Sequence, residues 1–182
     1  MAKWNFDVAH SGASFSARHM MLTTVRGAIN ISAGVLDFDP ANPTNGSVEV
    51  TLDATSLNTG VEARDGHLKS PDFLDVANFP TITFKSTKVE MTGENTANIT
   101  GDLTIRGNTR PVVIKAEYLG AGKDAYGKEK VGFIGSTRIN REDWGLTWNV
   151  LLETGGVLVG KEITIELDVQ AEKVVESVAA TA

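Results

Sequence analysis

Hydrophobic and polar residues alternate along most of this chain, which is the pattern of β-strands with one buried face. The clearest case is 161–171, where Ile, Ile, Leu, Val and Ala occupy every second position and charged or polar residues lie between them. Five further segments alternate in the same way and are also predicted to be strands: 13–18, 48–54, 97–106, 112–118 and 131–139.

The alternation changes phase in two further strand-like segments. After Gly34 the apolar positions move from odd to even numbers, and between Phe84 and Val89 they move from even to odd. A shift of one residue turns every following side chain to the opposite face of a sheet. We therefore expect a β-bulge or a sharp bend at each place, as in barrels that turn corners.

Turn sequences rich in Gly and Asn separate these segments, and one stretch is helical in character. Between 61 and 76, apolar and polar residues recur at helical spacing, and Ser70 followed by Pro71 suggests the start of a second short turn. Eight or nine short strands with this spacing predict an all-β antiparallel sandwich or barrel. Residues 1–173 are assigned to this domain, and 174–182 to a C-terminal tail without strand character.

Composition excludes several classes of function. The 182 residues include no cysteine, so disulfides, thiolate catalysis and cysteine-ligated metal sites are excluded. The net charge of −6 argues against nucleic acid as a partner. No segment is apolar over the ~18–20 residues that a membrane span needs. The first residues lack the apolar core of a signal peptide, so we expect a cytoplasmic protein, or a periplasmic one if a signal peptide has been removed.

Candidate catalytic residues are few, and we predict none to be catalytic. Arg64, Asp65 and His67 form the densest polar cluster, and pairing within the helical segment is favoured over general-base chemistry. The neighbours His10 and Ser11 are assigned to a turn.

Five further residues have polar or aromatic side chains that the sequence either leaves with two possible roles or assigns to a loop. His19 continues an apolar strand face and is interpreted either as a core histidine or as a polar group inside a cavity. Glu142 and Asp143 are taken as loop residues, because adjacent carboxylates rarely converge on one bond. Trp144 and Trp148 lie in an apolar stretch between 140 and 160 that is either core or the lid of an apolar ligand site.

Several positions on the inward strand faces are small, and they can be read in two ways. They either leave a cavity or make room for bulky neighbours such as Phe15, Phe84 and Phe133. The small residues are Ala17, Gly27, Ala33, Ala54, Ala97, Gly101, Ala116 and Gly135.

In order and spacing, short motifs over residues 4–173 resemble the YceI-like family of lipocalin-like, polyisoprenoid-binding proteins. They are Asp7, His10, Ser11 and Phe15; Arg-Asp-Gly-His-Leu at 64–68; Asp-Phe-Leu-Asp at 72–75; Phe-Pro-Thr-Ile-Thr-Phe at 79–84; Gly-Asp-Leu-Thr-Ile-Arg-Gly at 101–107; Arg-Glu-Asp-Trp-Gly at 141–145; and Val-Gly-Lys-Glu-Ile at 159–163. The resemblance implies an eight-stranded antiparallel β-barrel with a short helical insertion, which holds a long isoprenoid chain. It also implies a homodimer.

We therefore predict a non-enzymatic protein that stores or carries a long-chain polyisoprenoid or isoprenoid quinone, with no metal and no cofactor besides the lipid. The alternatives are a carrier of a fatty acid or fatty amide, a lipid-modifying enzyme with His67 or His19 as the base, and a structural protein without a ligand. The apolar strand faces and the resemblance together give the predicted ligand-binding residues: Phe15, Ala17, His19, Val25, Ile29, Val50, Leu52, Phe84, Ile99, Leu103, Ile105, Phe133, Trp144 and Trp148.

Overall fold

The computed structural model describes residues 1–177, which form nine antiparallel strands and one short α-helix. All six alternating segments form strands, apart from the end residues Arg106 and Lys161, and the two segments that change phase lie in strands as well. The elements are β1 (Ala2–Phe6), β2 (Gly12–His19), β3 (Thr23–Phe38), β4 (Ser47–Asn58), α1 (Glu62–Lys69), β5 (Thr81–Met91), β6 (Thr96–Ile105), β7 (Asn108–Lys123), β8 (Glu129–Asn140) and β9 (Glu162–Lys173).

The sheet closes on itself as an eight-stranded barrel, as predicted. From β2 to β9 each strand pairs with the next along the chain, and β9 pairs with β2 to complete the circle. The ninth strand, β1, pairs with the end of β3 and with the end of β9. β1 and β2 therefore share one place in the barrel, as a single strand that is interrupted by a 3₁₀ turn at Val8–His10.

Both predicted changes of phase exist, but one is displaced. Between β5 and β6 the pairing shifts at Ser86 and Lys88, as expected. In β3 the shifts fall between Ala28 and Asn30 and between Ile31 and Ala33, so the prediction of a bend after Gly34 is wrong in position. Because the slip comes earlier, Ala33 is exposed and does not face inward as predicted.

Of the segment 61–76 that was predicted to be helical, only α1 forms a helix. It ends at Lys69, and Ser70 follows with extended backbone because Pro71 disfavours helical backbone in the residue that precedes it. Residues 70–75 follow as a turn in which the Ser70 carbonyl accepts from the amides of Phe73 and Asp75, both at 2.9 Å. The second short turn is thus present, but it is not a second helix.

Buried side chains gather at both ends of the barrel. At the end that carries α1, the buried group includes Phe73, Trp144 and Leu146. The opposite end is filled by Trp4, Phe38, Val131 and Ala171, with Tyr118 and Phe133 against them. Ring centroids of Phe38, Tyr118 and Phe133 lie 5.1–5.3 Å apart, within the range of favourable aromatic pairs.

Beyond Lys173, residues 174–177 have no helix or strand, and the remainder of the predicted tail lies outside the described residues. Within residues 1–177, no helix is long and apolar enough to cross a membrane.

Candidate ligand-binding cavity

The barrel encloses a cavity of about 710 Å³ between its two buried ends. Its wall consists mainly of aliphatic and aromatic side chains that point inward from β2 to β9. The volume falls within the ~300–1,000 Å³ that is usual for small-molecule sites. The inward faces of the strands are therefore only partly filled by their own side chains.

All 14 residues predicted to bind a ligand line this cavity. Sequence reasoning missed other lining residues that lie on the same strand faces and carry the same alternating signal. They include Ala13, Ile31, Leu36, Ile82, Val112, Ile114, Ile139, Ile163, Ile165, Leu167 and Val169. The signal that could have found them is the period of two itself, extended to every inward position.

His19 occupies a different environment from the core position that the sequence suggested. It is exposed at the end of β2, where it forms an isolated bridge with Val159, although its side chain also borders the cavity. The apolar face of β2 ends at Ala17, so a histidine two residues later lies at the rim. The interpretation as a core histidine is therefore wrong.

A belt of mostly small residues runs along the cavity wall at one level, across five of the eight barrel strands. Ala97 pairs with Ala116, Ala116 with Gly135, Gly135 with Leu167, and Leu167 with Ala13. All five residues border the cavity. Four of the five have at most a methyl group as a side chain, so the space at this level stays open.

Two of the inward glycines do not leave a cavity but make room for a bulky neighbour, which is the second role that the sequence left open. A Cβ atom on Gly27 would lie 2.5 Å from Phe15 Cζ, and one on Gly101 would collide with Phe84 Cζ. The rings of Phe15 and Phe84 lie over these glycines. The small residues thus divide into those that leave space and those that accept an aromatic ring.

Arg64 and Asp65 hold the loop that leads from β4 into α1. Arg64 Nε donates to Thr59 Oγ1 at 2.7 Å, and Arg64 Nη2 donates to the Thr59 carbonyl at 3.0 Å. Asp65 Oδ1 accepts from the Thr59 hydroxyl at 2.5 Å and from the Thr59 amide at 2.8 Å, and these hydrogen bonds, the hydroxyl's above all, lower the pKa of the Asp65 carboxyl. Both side chains therefore have the structural role that was favoured for them.

His67 packs between aromatic rings at the α1 end of the cavity. Its ring centroid lies 4.5 Å from that of Trp148 and 5.1 Å from that of Phe73, in both cases nearly perpendicular. His67 Nε2 lies 2.9 Å from Asp72 Oδ2. One face of this histidine borders the cavity, and its nitrogen is held by an exposed carboxylate.

The apolar stretch from 140 to 160 divides between core and surface. Trp144 is only 2% exposed, and its indole N–H donates to the Leu103 carbonyl at 2.9 Å. Trp148 is half-buried against His67 and lines the cavity. Farther along, Val150 and Leu151 are exposed. The core interpretation holds for Trp144, whereas Trp148 belongs to the cavity wall.

Arg141 is the most deeply buried charge of this region, with 3% of its surface exposed. Its guanidinium donates to the carbonyls of Gly160 at 2.9 Å, Leu146 at 2.5 Å and Val159 at 3.3 Å. It also lies over the Phe73 ring, 5.6 Å from its centroid. Sequence reasoning missed this residue because its partners are backbone carbonyls of a loop, which leave no trace in side-chain spacing.

The remaining polar candidates have local roles. His10 Nδ1 lies 2.9 Å from Asp7 Oδ2, and Ser11 exchanges hydrogen bonds with the backbone of Gln170, so both belong to the turn that interrupts the first strand. Glu142 pairs with Lys161 at 3.4 Å. Asp143 is exposed beside it. Over the part of the chain that the structure describes, no cluster of three or more histidines or carboxylates could hold a metal ion.

The sequence matches the family model described as the YceI-like domain over residues 4–171. A protein of Vibrio cholerae named as a UPF0312 protein is 40% identical over 138 residues, which are 76% of this chain and 73% of the relative. The UPF0312 protein of Ectopseudomonas mendocina is 43% identical over 138 residues, or 76% and 72%.

Solved structures show the same architecture. BcnA of Burkholderia cenocepacia superposes with a TM-score of 0.79 at 26% identity, covering 91% of this chain and 98% of BcnA. The YceI protein of Campylobacter jejuni gives a TM-score of 0.71 at 31% identity, over 87% and 90%. A polyisoprenoid-binding domain of Saccharophagus degradans gives 0.72 at 12% identity, over 96% and 100%, and shares the fold.

Proposed function

Because the chain belongs to the YceI-like family, we propose that its barrel binds a long-chain polyisoprenoid or isoprenoid quinone, which the protein stores or carries. The observation that carries this proposal is the cavity of about 710 Å³ whose wall is almost entirely apolar. The Saccharophagus degradans domain that shares the fold is described as polyisoprenoid-binding, which supports the choice of ligand class.

The energetics favour an apolar chain in this cavity. Each 100 Å² of apolar lipid surface removed from water contributes about 2.5 kcal/mol, before the costs of association and ordering are subtracted. An extended isoprenoid chain offers several such units of surface. No charged group is needed to reach useful affinity, and a few polar groups suffice to orient the head.

We propose binding without catalysis because the candidate catalytic residues at the α1 end are already engaged in structural contacts. Arg64 and Asp65 bind Thr59, and His67 lies beside Asp72. The homodimeric state and the cytoplasmic location stay predictions from the sequence. The same apolar wall would accept the chain of a fatty acid or fatty amide, and competition between ligands decides between the two classes.

Filling the belt of small residues tests the proposal. Ala116→Trp places an indole into the cavity, whereas Glu117→Trp places the same side chain on the outer face of β7. With delipidated protein, we expect Ala116→Trp to weaken binding of a long-tailed ubiquinone at least about tenfold, since the volume it needs is lost. Glu117→Trp should bind as the unaltered protein does.

Titration of the ubiquinone, with palmitic acid as competitor, measures both points. Circular dichroism of each variant checks that the barrel has formed. Equal affinity of the folded Ala116→Trp variant and the unaltered protein would contradict binding inside the barrel. If palmitic acid binds more tightly than the ubiquinone in this competition, the protein would instead be a fatty-acid carrier.

A further inference from the structure

The guanidinium of Arg141 has more hydrogen-bond donors than the protein uses. A guanidinium carries five N–H groups in a fixed plane. Three of them are directed at the carbonyls of Leu146, Val159 and Gly160. One N–H on each terminal nitrogen is therefore left without an acceptor among residues 1–177.

The charge of Arg141 is also uncompensated by any carboxylate in contact. Glu142 is the adjacent acid, but its carboxylate pairs with Lys161 at 3.4 Å, and the ion pairs of the described chain include none for Arg141. Burial lowers the pKa of the Arg141 guanidinium, since desolvation disfavours the charged form. Buried charges in proteins are usually paired with an opposite charge, whereas Arg141 has three carbonyl acceptors and the Phe73 ring but no carboxylate in contact.

This charge borders the cavity at the end that carries α1. Phe73, His67 and Trp148 line the same region, and the wall beyond them is apolar. A lipid whose chain follows the barrel would bring its polar end to the guanidinium. Two donors from one planar group are suited to bind a carboxylate, a phosphate or a carbonyl oxygen.

We propose that Arg141 is the head-group site of the cavity and selects amphiphiles whose head presents an acceptor oxygen, such as a carboxylate, a phosphate or a quinone carbonyl. This inference rests on the proposed function, because it needs a lipid chain in the barrel. It assigns Arg141 a second role beyond fixing the loop at 146–160.

Ligands with one chain and three heads test the proposal. Geranylgeranoic acid presents a carboxylate, geranylgeranylacetone a ketone, and geranylgeranylamine a cation without an acceptor. With delipidated protein, we expect the acid and the ketone to bind at least about tenfold more tightly than the amine. A stronger gain for the acid than for the ketone would indicate a natural ligand with an anionic head, and equal gains one with a carbonyl head.

Substitution at Arg141 then identifies the group that is responsible. Arg141→Met and Arg141→Gln should reduce the preference for the acid over the amine about tenfold, with little effect on the affinity for the amine. Arg138→Met is the control, because Arg138 is exposed on β8 close to Arg141 along the chain, pairs only with the exposed Glu162 and does not line the cavity. It should keep the preference of the unaltered protein.

Each outcome bears on one of the two proposals. Weakening of all three ligands by the same factor in a folded Arg141 variant would show a role in the loop alone and overturn the head-group site, while lipid binding would stand. Failure of the unaltered protein to bind any of the three would instead contradict the proposed function.

If the Arg141 variants do not fold, the Nη–H resonances of Arg141 in the unaltered protein provide the test, because the two free donors lie on Nη1 and Nη2. One of them should shift on adding the acid and stay in place on adding the amine, and equal spectra would overturn the proposal.

Discussion

For the glycines on the inward faces of the strands, the sequence predicts which way the residue points but not whether the space beside it is empty. The alternation correctly predicted that Gly27, Gly101 and Gly135 point inward. It could not distinguish a glycine that leaves space from one that lies under a ring, because the difference depends on the side chain across the strand pair. Arg141 was missed for a related reason, since its acceptors are loop carbonyls 5–19 residues away.

Substitution of Gly101 tests this interpretation at the residue scale. Gly101→Ala should lower the free energy of unfolding by about 1–3 kcal/mol, because its methyl group would collide with Phe84 and lie 2.5 Å from the Lys85 carbonyl. Gly122→Ala is the control, since nothing lies within 4 Å of its added methyl group. Urea denaturation of both variants measures the difference. Equal stability of the two would show that Phe84 can move aside without cost.

At the scale of elements, the period of two identified nearly every strand, and the helix was predicted where it occurs. The positions of the bulges were less accessible, because the sequence of one strand does not contain the register of its partner. The bend in β3 accordingly falls at Ile31 and Ala33, before Gly34, and Ala33 faces outward. The turn around His10 divides the first barrel strand into β1 and β2. The hydrogen bonds that hold this turn to β8 and β9 join residues far apart in the chain, so they are visible only in the folded structure.

The carboxylate of Asp7 makes the contacts that hold this turn to β8 and β9. Asp7 Oδ2 lies 2.9 Å from His10 Nδ1 and accepts from Gln170 Nε2 at 3.2 Å and Lys130 Nζ at 3.3 Å. The hydrogen bond from His10, and then the hydrogen bond and the charge of Lys130, lower the pKa of Asp7 from 3.8 to about 2. Because the folded value is the lower one, the stabilisation is present above pH 4 and is lost as the pH falls toward 2.

Asp7→Asn should therefore be less stable than the unaltered protein at pH 7, by about 1 kcal/mol, and the difference should shrink at pH 2.5. Denaturation at both values measures this change. Asp102→Asn, at an exposed position of β6, is the control and should leave stability nearly unchanged at either pH. A difference between Asp7→Asn and the unaltered protein that is equally large at pH 2.5 would contradict the role assigned to the carboxylate.

At the scale of the whole molecule, the barrel itself could be predicted, but its interior could not. Whether eight strands enclose a packed core or a cavity depends on how the small and large inward residues fall at each level. Ala13, Ala97, Ala116 and Gly135 become neighbours only through the register of five strands, so no local pattern reveals the belt that they form. The cavity between the two buried ends is the feature on which the proposed function depends.

Native mass spectrometry of the protein, purified from its own host without detergent, shows whether the barrel holds a lipid. We expect a population with excess mass of several hundred daltons, which is released on denaturation and has the composition of an isoprenoid lipid. Repeated preparations that contain only the mass of the bare chain, with no uptake of added isoprenoid lipid, would contradict this expectation.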